Sequence, residues 1–405
     1  MNRTELINCL IQQRNAKRYL EISVHDIQNN FIYVRCAHKV TSYPSNSNSF
    51  FVHNQEQFDI IFIDGFHTEE QVLQDINNAC RVLEKDGIIV VHDCMPPDAW
   101  HQRESSEYKP GENWNGTVWK AVLRVFNTSV YKCTLLDTDW GCGIIDTSVP
   151  QTPRLQKLPE CLVYELHYSW LLRYKETVAD YLRKQVYVFY HLACMGNWQE
   201  VYTEQMKLLQ QNGFKGVNIT ILGKDEEAET AITTGEGIGL EMNVIFHDVK
   251  LTHFETPAFI AIEAYAKEHK GYVLYLHSKG VSNPDDIAKT KWRRLMMREL
   301  VERWESCMLQ LPNYDAIGVN WRDMPPVSHF CGNFWYASTH YLRKLADFKY
   351  YYDHPRYQIW DGIESKRLGC EFWISSGKEL PRILSLFCRN VDFCNPAYWM
   401  NKLLC

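Results

Sequence analysis

The sequence predicts an α/β protein of two Rossmann-like, three-layer domains joined by a helical linker, and three observations carry that prediction. Short apolar, β-branched runs ending at a polar residue recur along the chain, as in 58–64 (FDIIFID) and 272–280 (YVLYLHSKG). Between such runs lie segments with apolar residues at helical spacing, such as Val72, Ile76, Ala79 and Leu83 in 68–84. The alternation starts over after residues 148–160, a stretch holding Pro150, Pro153 and Pro159. Buried strands linked by crossover helices run parallel, and ligands of such sheets bind outside the strands' carboxyl ends. The expected division is 1–150, a linker helix within 151–184, and 185–405.

Composition bounds the function. A chain of 405 residues is long enough for two or three domains, and its net charge of -6 argues against a general nucleic-acid binder. No apolar stretch approaches the roughly 18 residues of a membrane helix. The polar start MNRTELINCLIQQRNAKR does not read as a signal peptide, so a cytoplasmic protein is expected. The 14 cysteines include no C-x-x-C pair, which suits reduced thiols rather than a zinc site or disulfide framework. The 13 Trp and 23 Tyr suit sugar faces and cores alike.

In order, the first eighteen residues read as an amphipathic helix with Leu6, Leu10 and Ile11 inward, followed by the strand RYLEISV. FDIIFID, a helix over 68–84, a break at Gly87 and IIVVHD form a strand–helix–strand unit. A right-handed crossover puts Asp64 and Asp93 at one carboxyl edge, where two carboxylates suit a hard cation such as magnesium. His67 and His92 flank them as proton acceptors. A helix over 115–125 and a strand pair in LLDTDWGCGIID complete this half.

These residues resemble the class I methyltransferases that use S-adenosylmethionine, in particular the catechol and sugar O-methyltransferases. The resemblance covers roughly the first 150 residues and is strongest over 58–97. It implies that Asp64 and Asp93 hold magnesium and orient a substrate hydroxyl; Cys94 stands where the family has asparagine. It also implies that Glu21, Ser23, Tyr43 and Asp64 line the cofactor site. Two positions depart from the pattern: Ser23 replaces a glycine of the first turn, and Tyr43 stands where an acidic residue meets the ribose.

After the linker, CLVYELHYSWLLRYKETVADYLRK reads as one helix. QVYVFYHLA, GVNITILG, EMNVIFHD and YVLYLHSKG then alternate with helices, predicting a second parallel sheet. Thr256-Pro257 suits a helix start, and a basic helix is expected over 286–310. The order of elements is similar to GT-A glycosyltransferases, and the HSKG tetrad resembles that of surface-polysaccharide enzymes of the rhamnan-synthesis type. The likeness implies a nucleotide-sugar site of His191, His277, Lys279, Gly280, Asn333 and Trp335. In it Lys279 would neutralise the diphosphate without a metal. It places the catalytic base at Glu371, with Asp361 and Glu364 as rivals.

The expected function is a glycan-biosynthesis enzyme that transfers a sugar from a nucleotide-sugar donor to a glycan acceptor, fused to a sugar O-methyltransferase domain. Two alternatives stay open. One is an active O-methyltransferase whose C-terminal domain only presents the glycan. The other is a non-catalytic carbohydrate-binding scaffold.

Overall fold

The computed structural model describes residues 1–23, 27–323, 327–354, 359–360, 363–364, 367–387 and 389–393. The chain separates into two compact units, Met1–Tyr181 and Leu182–Cys405. Each holds a mixed seven-stranded sheet flanked by helices, a Rossmann-like α/β architecture. Among the described residues no helix is long and apolar enough to cross a membrane.

The first unit contains α1 (Arg3–Arg14), β1 (Arg18–Ser23), β2 (His38–Thr41), α2 (Ser47–His53), β3 (Phe58–Asp64), α3 (Glu69–Val82), β4 (Leu83–Val91), α4 (Val118–Thr128), β5 (Tyr131–Leu136), β6 (Cys142–Pro150), α5 (Tyr164–Leu171) and β7 (Lys175–Glu176). Its strands run in the order β2-β1-β3-β4-β6-β5-β7. Strands β1 to β4 are mutually parallel, and β6 lies antiparallel between β4 and β5. The order reverses at β1, so a crevice opens outside the ends of β1 and β3, where Ser23 and Asp64 are register partners. Helix α3 starts at Thr68, whose side chain accepts from the Gln71 amide, and buries Val72, Ile76 and Ala79 against the sheet.

Residues 161–184 do not form the single helix expected of them. Lys175–Glu176 joins the sheet as an edge strand beside β5, and the Thr177 hydroxyl accepts from the Asp180 amide to start a new helix, α6 (Val178–Arg183). Strand pairing and an internal cap override the apolar helical spacing on either side.

The second unit begins with β8 (Val186–Ala193), α7 (Trp198–Gln211), β9 (Gly216–Leu222), α8 (Asp225–Ile238), β10 (Glu241–Asp248), α9 (Thr256–Glu268), β11 (Tyr272–His277), α10 (Ile287–Met297) and α11 (Trp304–Gln310). A π-helical turn, Arg298–Glu302, interrupts the helix expected over 286–310. There follow β12 (Ala316–Gly318), a hairpin of β13 (Trp321–Arg322) and β14 (His329–Phe330), β15 (Trp335–Ser338), α12 (Thr339–Leu342) and α13 (Phe348–Asp353). A second hairpin of β16 (Ile359–Trp360) and β17 (Ile363–Glu364), then α14 (Leu368–Phe372) and β18 (Ile383–Ser385), complete the unit. The strand order is β10-β9-β8-β11-β15-β12-β18, reversing at β8. The sheet is not wholly parallel: β15 runs antiparallel to both β11 and β12.

Candidate functional site

In the first unit, β3 ends on Asp64 and Asp93 follows β4 by two residues, in a left-handed conformation (φ 59°). The Asn115 amide donates to Asp93 Oδ1 at 2.8 Å and fixes that carboxylate. His67, in the turn between β3 and α3, brings Nε2 to 3.4 Å from Asp64 Oδ1 and 3.3 Å from Asp93 Oδ2. Its Nδ1 lies 2.9 Å from the Trp114 carbonyl, which only accepts, so Nδ1 carries a hydrogen. In the neutral ring the Nε2 lone pair would then face two carboxylates. A positive charge resolves that clash, either a proton or a cation held between the three groups. Burial alone would push the His67 imidazole down, but the Asp64 hydrogen bond and the Asp93 charge outweigh it and raise the ring above its ordinary value.

One ligand atom from each of Asp64, His67 and Asp93 lies within 4.8 Å of the others, a set able to hold a metal ion. The Nδ1–H on a backbone carbonyl is the orientation that metal-bound histidines usually show. The donor set therefore fits a divalent cation. His92 sits behind it: Nδ1 lies 3.0 Å from Asp93 Oδ2, and Arg3 approaches Nε2 at 3.0 Å. Arg3 Nη1 is also 3.4 Å from Nδ1, which places it over the ring face. Burial would push the His92 ring down, but Asp139, Asp64 and Asp93 raise it well above its ordinary value, and Nδ1 donates to Asp93. Cys94 is buried, with its thiol on the Val91 carbonyl at 3.1 Å, and takes no place among the ligands.

The residues expected to hold S-adenosylmethionine are less accommodating. Glu21 is 2% exposed, and its carboxylate accepts from the Tyr19 hydroxyl and the Asn30 amide, both at 2.7 Å. Its place is a sealed internal network, not the crevice. Ser23 is tied to Ser42, whereas Tyr43 is exposed beyond the end of β2. No carboxylate among the described residues of β1 and β2 reaches toward a ribose there, so this part of the site does not fit the cofactor in the expected way.

In the second unit, β8 and β11 place His191 and His277 side by side as register partners at the switch point. Both line a cavity of about 780 Å³, together with Lys279, Gly280 and Glu371. Its walls also carry Glu255, which sequence reasoning missed because Glu255 looks only like the residue before a helix. Its carboxylate leaves the helix uncapped and instead accepts from Tyr275 Oη and Asn333 Nδ2, both at 2.7 Å. Burial would raise Glu255, but His277, His191 and Arg367, helped by the Tyr275 hydroxyl, hold it at about 2. His277 Nε2 donates to the Gly332 carbonyl at 3.0 Å, and burial pushes that ring down. Burial likewise pushes His191 down to about 4. The Lys279 ammonium lies 4.0 Å over the Trp292 ring and makes no ion pair with any described residue.

Two expected sugar contacts do not line the cavity. Trp335 is wholly buried, and its indole N–H donates to Asn333 Oδ1 at 3.0 Å; Asn333 is 1% exposed. On the fully buried strand β15 the indole packs against Phe259 and Tyr275 in the core, so Asn333 and Trp335 shape the wall from behind. Asp361 lies outside the described residues, as does the side chain of Glu364. Glu371 follows Arg367 by one helical turn, 3.5 Å from its guanidinium.

Residues 2–94 match a family model described as a methyltransferase domain, and 187–370 match one described as a domain of unknown function, DUF8361. No curated protein matches the chain. Among solved structures, the SAH-bound methyltransferase PaMTH1 of Podospora anserina is 15% identical, covers 36% of this chain and 77% of its own, and has a TM-score of 0.26. HddC from Yersinia pseudotuberculosis is 10% identical, covers 53% of this chain and 97% of its own, and has a TM-score of 0.27. The domain match takes in Asp64, His67 and Asp93; it supports a methyltransferase component in the first unit and an enzymatic role for the chain.

Gly116 adopts φ +59°, and a Cβ there would stand 2.0 Å from the His67 carbonyl oxygen. Gly116→Ala is expected to destabilise the first unit by about 1–3 kcal/mol and to displace His67; urea unfolding of the full chain checks the first effect and manganese titration the second. In the second unit, the unfolded chain takes up protons below about pH 6.5 that His191 refuses until about 4. Stability there is therefore expected to fall on acidification across that window, by up to roughly 1 kcal/mol per pH unit. Glu255 extends the loss below its ordinary 4.5 toward 2. His191→Gln should flatten the upper part of the profile when unfolding is followed against pH.

Proposed function

We propose that the first unit is a divalent-cation-dependent O-methyltransferase acting on a sugar hydroxyl with S-adenosylmethionine as methyl donor. The observation that carries this reading is the His67 ring, oriented by the Trp114 carbonyl so that Nε2 shares one small space with two carboxylates. A cation held by Asp64, His67 and Asp93 would lower the pKa of a bound hydroxyl. Asn115 and His92 keep Asp93 facing that space, and Arg3 lies 4.0 Å from Asp64 and holds the cluster from the other side. His67 then acts as a ligand rather than the proton acceptor. The poor fit of Glu21 and Tyr43 implies that the donor's ribose is held by other groups than in the resembling family.

A second activity is favoured by Lys279, the cation of the 780 Å³ cavity that no described carboxylate neutralises. By contrast Lys289, Arg322 and Arg367 each have one within 4.0 Å. An unpaired ammonium at the carboxyl edge suits the diphosphate of a nucleotide sugar. Glu371, on the same cavity, is the proton acceptor for an incoming sugar hydroxyl, which gives the chain a second transferase site of glycan assembly.

Calorimetric titration of the full chain with S-adenosylmethionine and with a panel of nucleotide sugars, with and without manganese, tests both. Manganese should bind once to the first unit, and Asp64→Asn should weaken it at least tenfold; undiminished binding removes the metal from the mechanism. Lys279→Met should weaken nucleotide-sugar binding about 10- to 100-fold. If free glycan binds while neither donor does, the scaffold reading takes the place of both.

A further inference from the structure

We infer that a groove between α7 and α10 of the second unit binds an anionic amphiphile, a small molecule with a phosphate-type head on a hydrocarbon tail. The groove encloses about 870 Å³ and is separate from the cavity of Lys279 and Glu371. That volume is in the range of small-molecule pockets rather than of a flat membrane-contact face.

The charge of the groove runs against that of the chain. Five cations, Lys207, Lys291, Arg293, Arg294 and Arg298, line it against two carboxylates, Glu204 and Glu302, in a protein of net charge -6. Glu204 is already shared between Arg294 at 2.9 Å and Arg293 at 3.5 Å, and Arg298 is taken by Glu299 at 2.7 Å. Lys207 and Lys291 make no ion pair with any described residue. Arg293 is 5% exposed, and its Nε has no hydrogen-bond partner among the described residues. A buried guanidinium N–H left without an acceptor is costly and uncommon in a native fold. An anion in the groove neutralises the two lysines and meets the same guanidinium that Glu204 only shares with Arg294.

Beside these charges the lining holds the apolar Leu208, Leu295, Met297 and Phe387, with Gln205 and Gln211 as its neutral polar members. A bare anion would leave these groups wet, and a purely apolar ligand would leave the cations unanswered. The occupant therefore carries both features, with the head toward Lys207, Lys291 and Arg293 and the tail along Leu208 and Leu295. Arg293 also donates to the Lys279 carbonyl at 3.0 Å, so the groove lies directly behind the loop that presents Lys279.

Dodecyl phosphate, titrated calorimetrically below its micelle concentration into the full chain, is expected to bind once per chain. Inorganic phosphate and dodecyl maltoside should bind at least tenfold more weakly. Lys207→Ala with Lys291→Ala should lower the dodecyl phosphate affinity at least tenfold at an unchanged melting temperature. Lys207→Ala alone, at an exposed side chain, serves if the pair impairs folding. Three results would overturn the inference: no saturable binding of dodecyl phosphate, equal binding by the lysine variants, or equal affinity for inorganic phosphate or dodecyl maltoside. Binding seen only with phosphatidic acid vesicles would overturn it too, in favour of a membrane-facing surface.

Discussion

Parallel pairing of apolar strands, interrupted where the strand order reverses, is the constraint on which both candidate sites depend. In an ordinary run of parallel strands the next connection covers the strand ends. At β1 and at β8 successive connections leave in opposite directions, so the strand ends stay open to solvent. The residues that end those strands must then be polar. Register decides which of them meet: Ser23 beside Asp64 in the first unit, His191 beside His277 in the second. The apolar bodies of the strands are near fully buried and fix that register, so the polar rim inherits a geometry set by the core.

The two rims use this geometry differently. In the first unit carboxylates outnumber cations around His67, and the ring orientation set by the Trp114 carbonyl leaves a space that wants positive charge. In the second, burial keeps His191 and His277 neutral, and their rings serve as hydrogen-bonding walls: His191 Nδ1 is 2.9 Å from Thr220 Oγ1, and His277 donates to Gly332. Among the formal charges there, Glu255 is fixed inside a hydrogen-bond network and Lys279 rests on an indole face.

Much of this was legible in the sequence because apolar runs that stop at a polar residue are strong signals. FDIIFID and YVLYLH gave Asp64, His277 and Lys279 their places at sheet edges, and Phe189 to His191 follows the same logic. What stayed hidden depends on contacts distant in sequence. Gly116 and Trp114, which set the position and tautomer of His67, lie 47 to 49 residues after it, and no local pattern marks them. Glu255 reads as the flank of a helix until Asn333, 78 residues on, is seen to bind it. Trp335 was misplaced for the opposite reason: a tryptophan beside Gly-Asn-Phe looks available, yet a strand flanked on both sides by partners buries every residue it carries. The helix expected over 161–184 failed because its spacing is helical throughout while Lys175–Glu176 finds a better partner in β5.

Cys94 stands where the resembling family has asparagine, and it takes no part in the polar rim. A thiol is a soft group and a poor partner for a hard cation, and here it turns inward to the Val91 carbonyl. The Asn115 amide lies beside Asp93 from a different segment, acting on the carboxylate and not on the cation space. The third group of the cluster is His67, from the turn after β3. An imidazole nitrogen beside two carboxylates suits manganese, iron, cobalt or zinc better than magnesium. On the reading proposed above, two carboxylates and one imidazole at this edge would favour a first-row transition cation over magnesium.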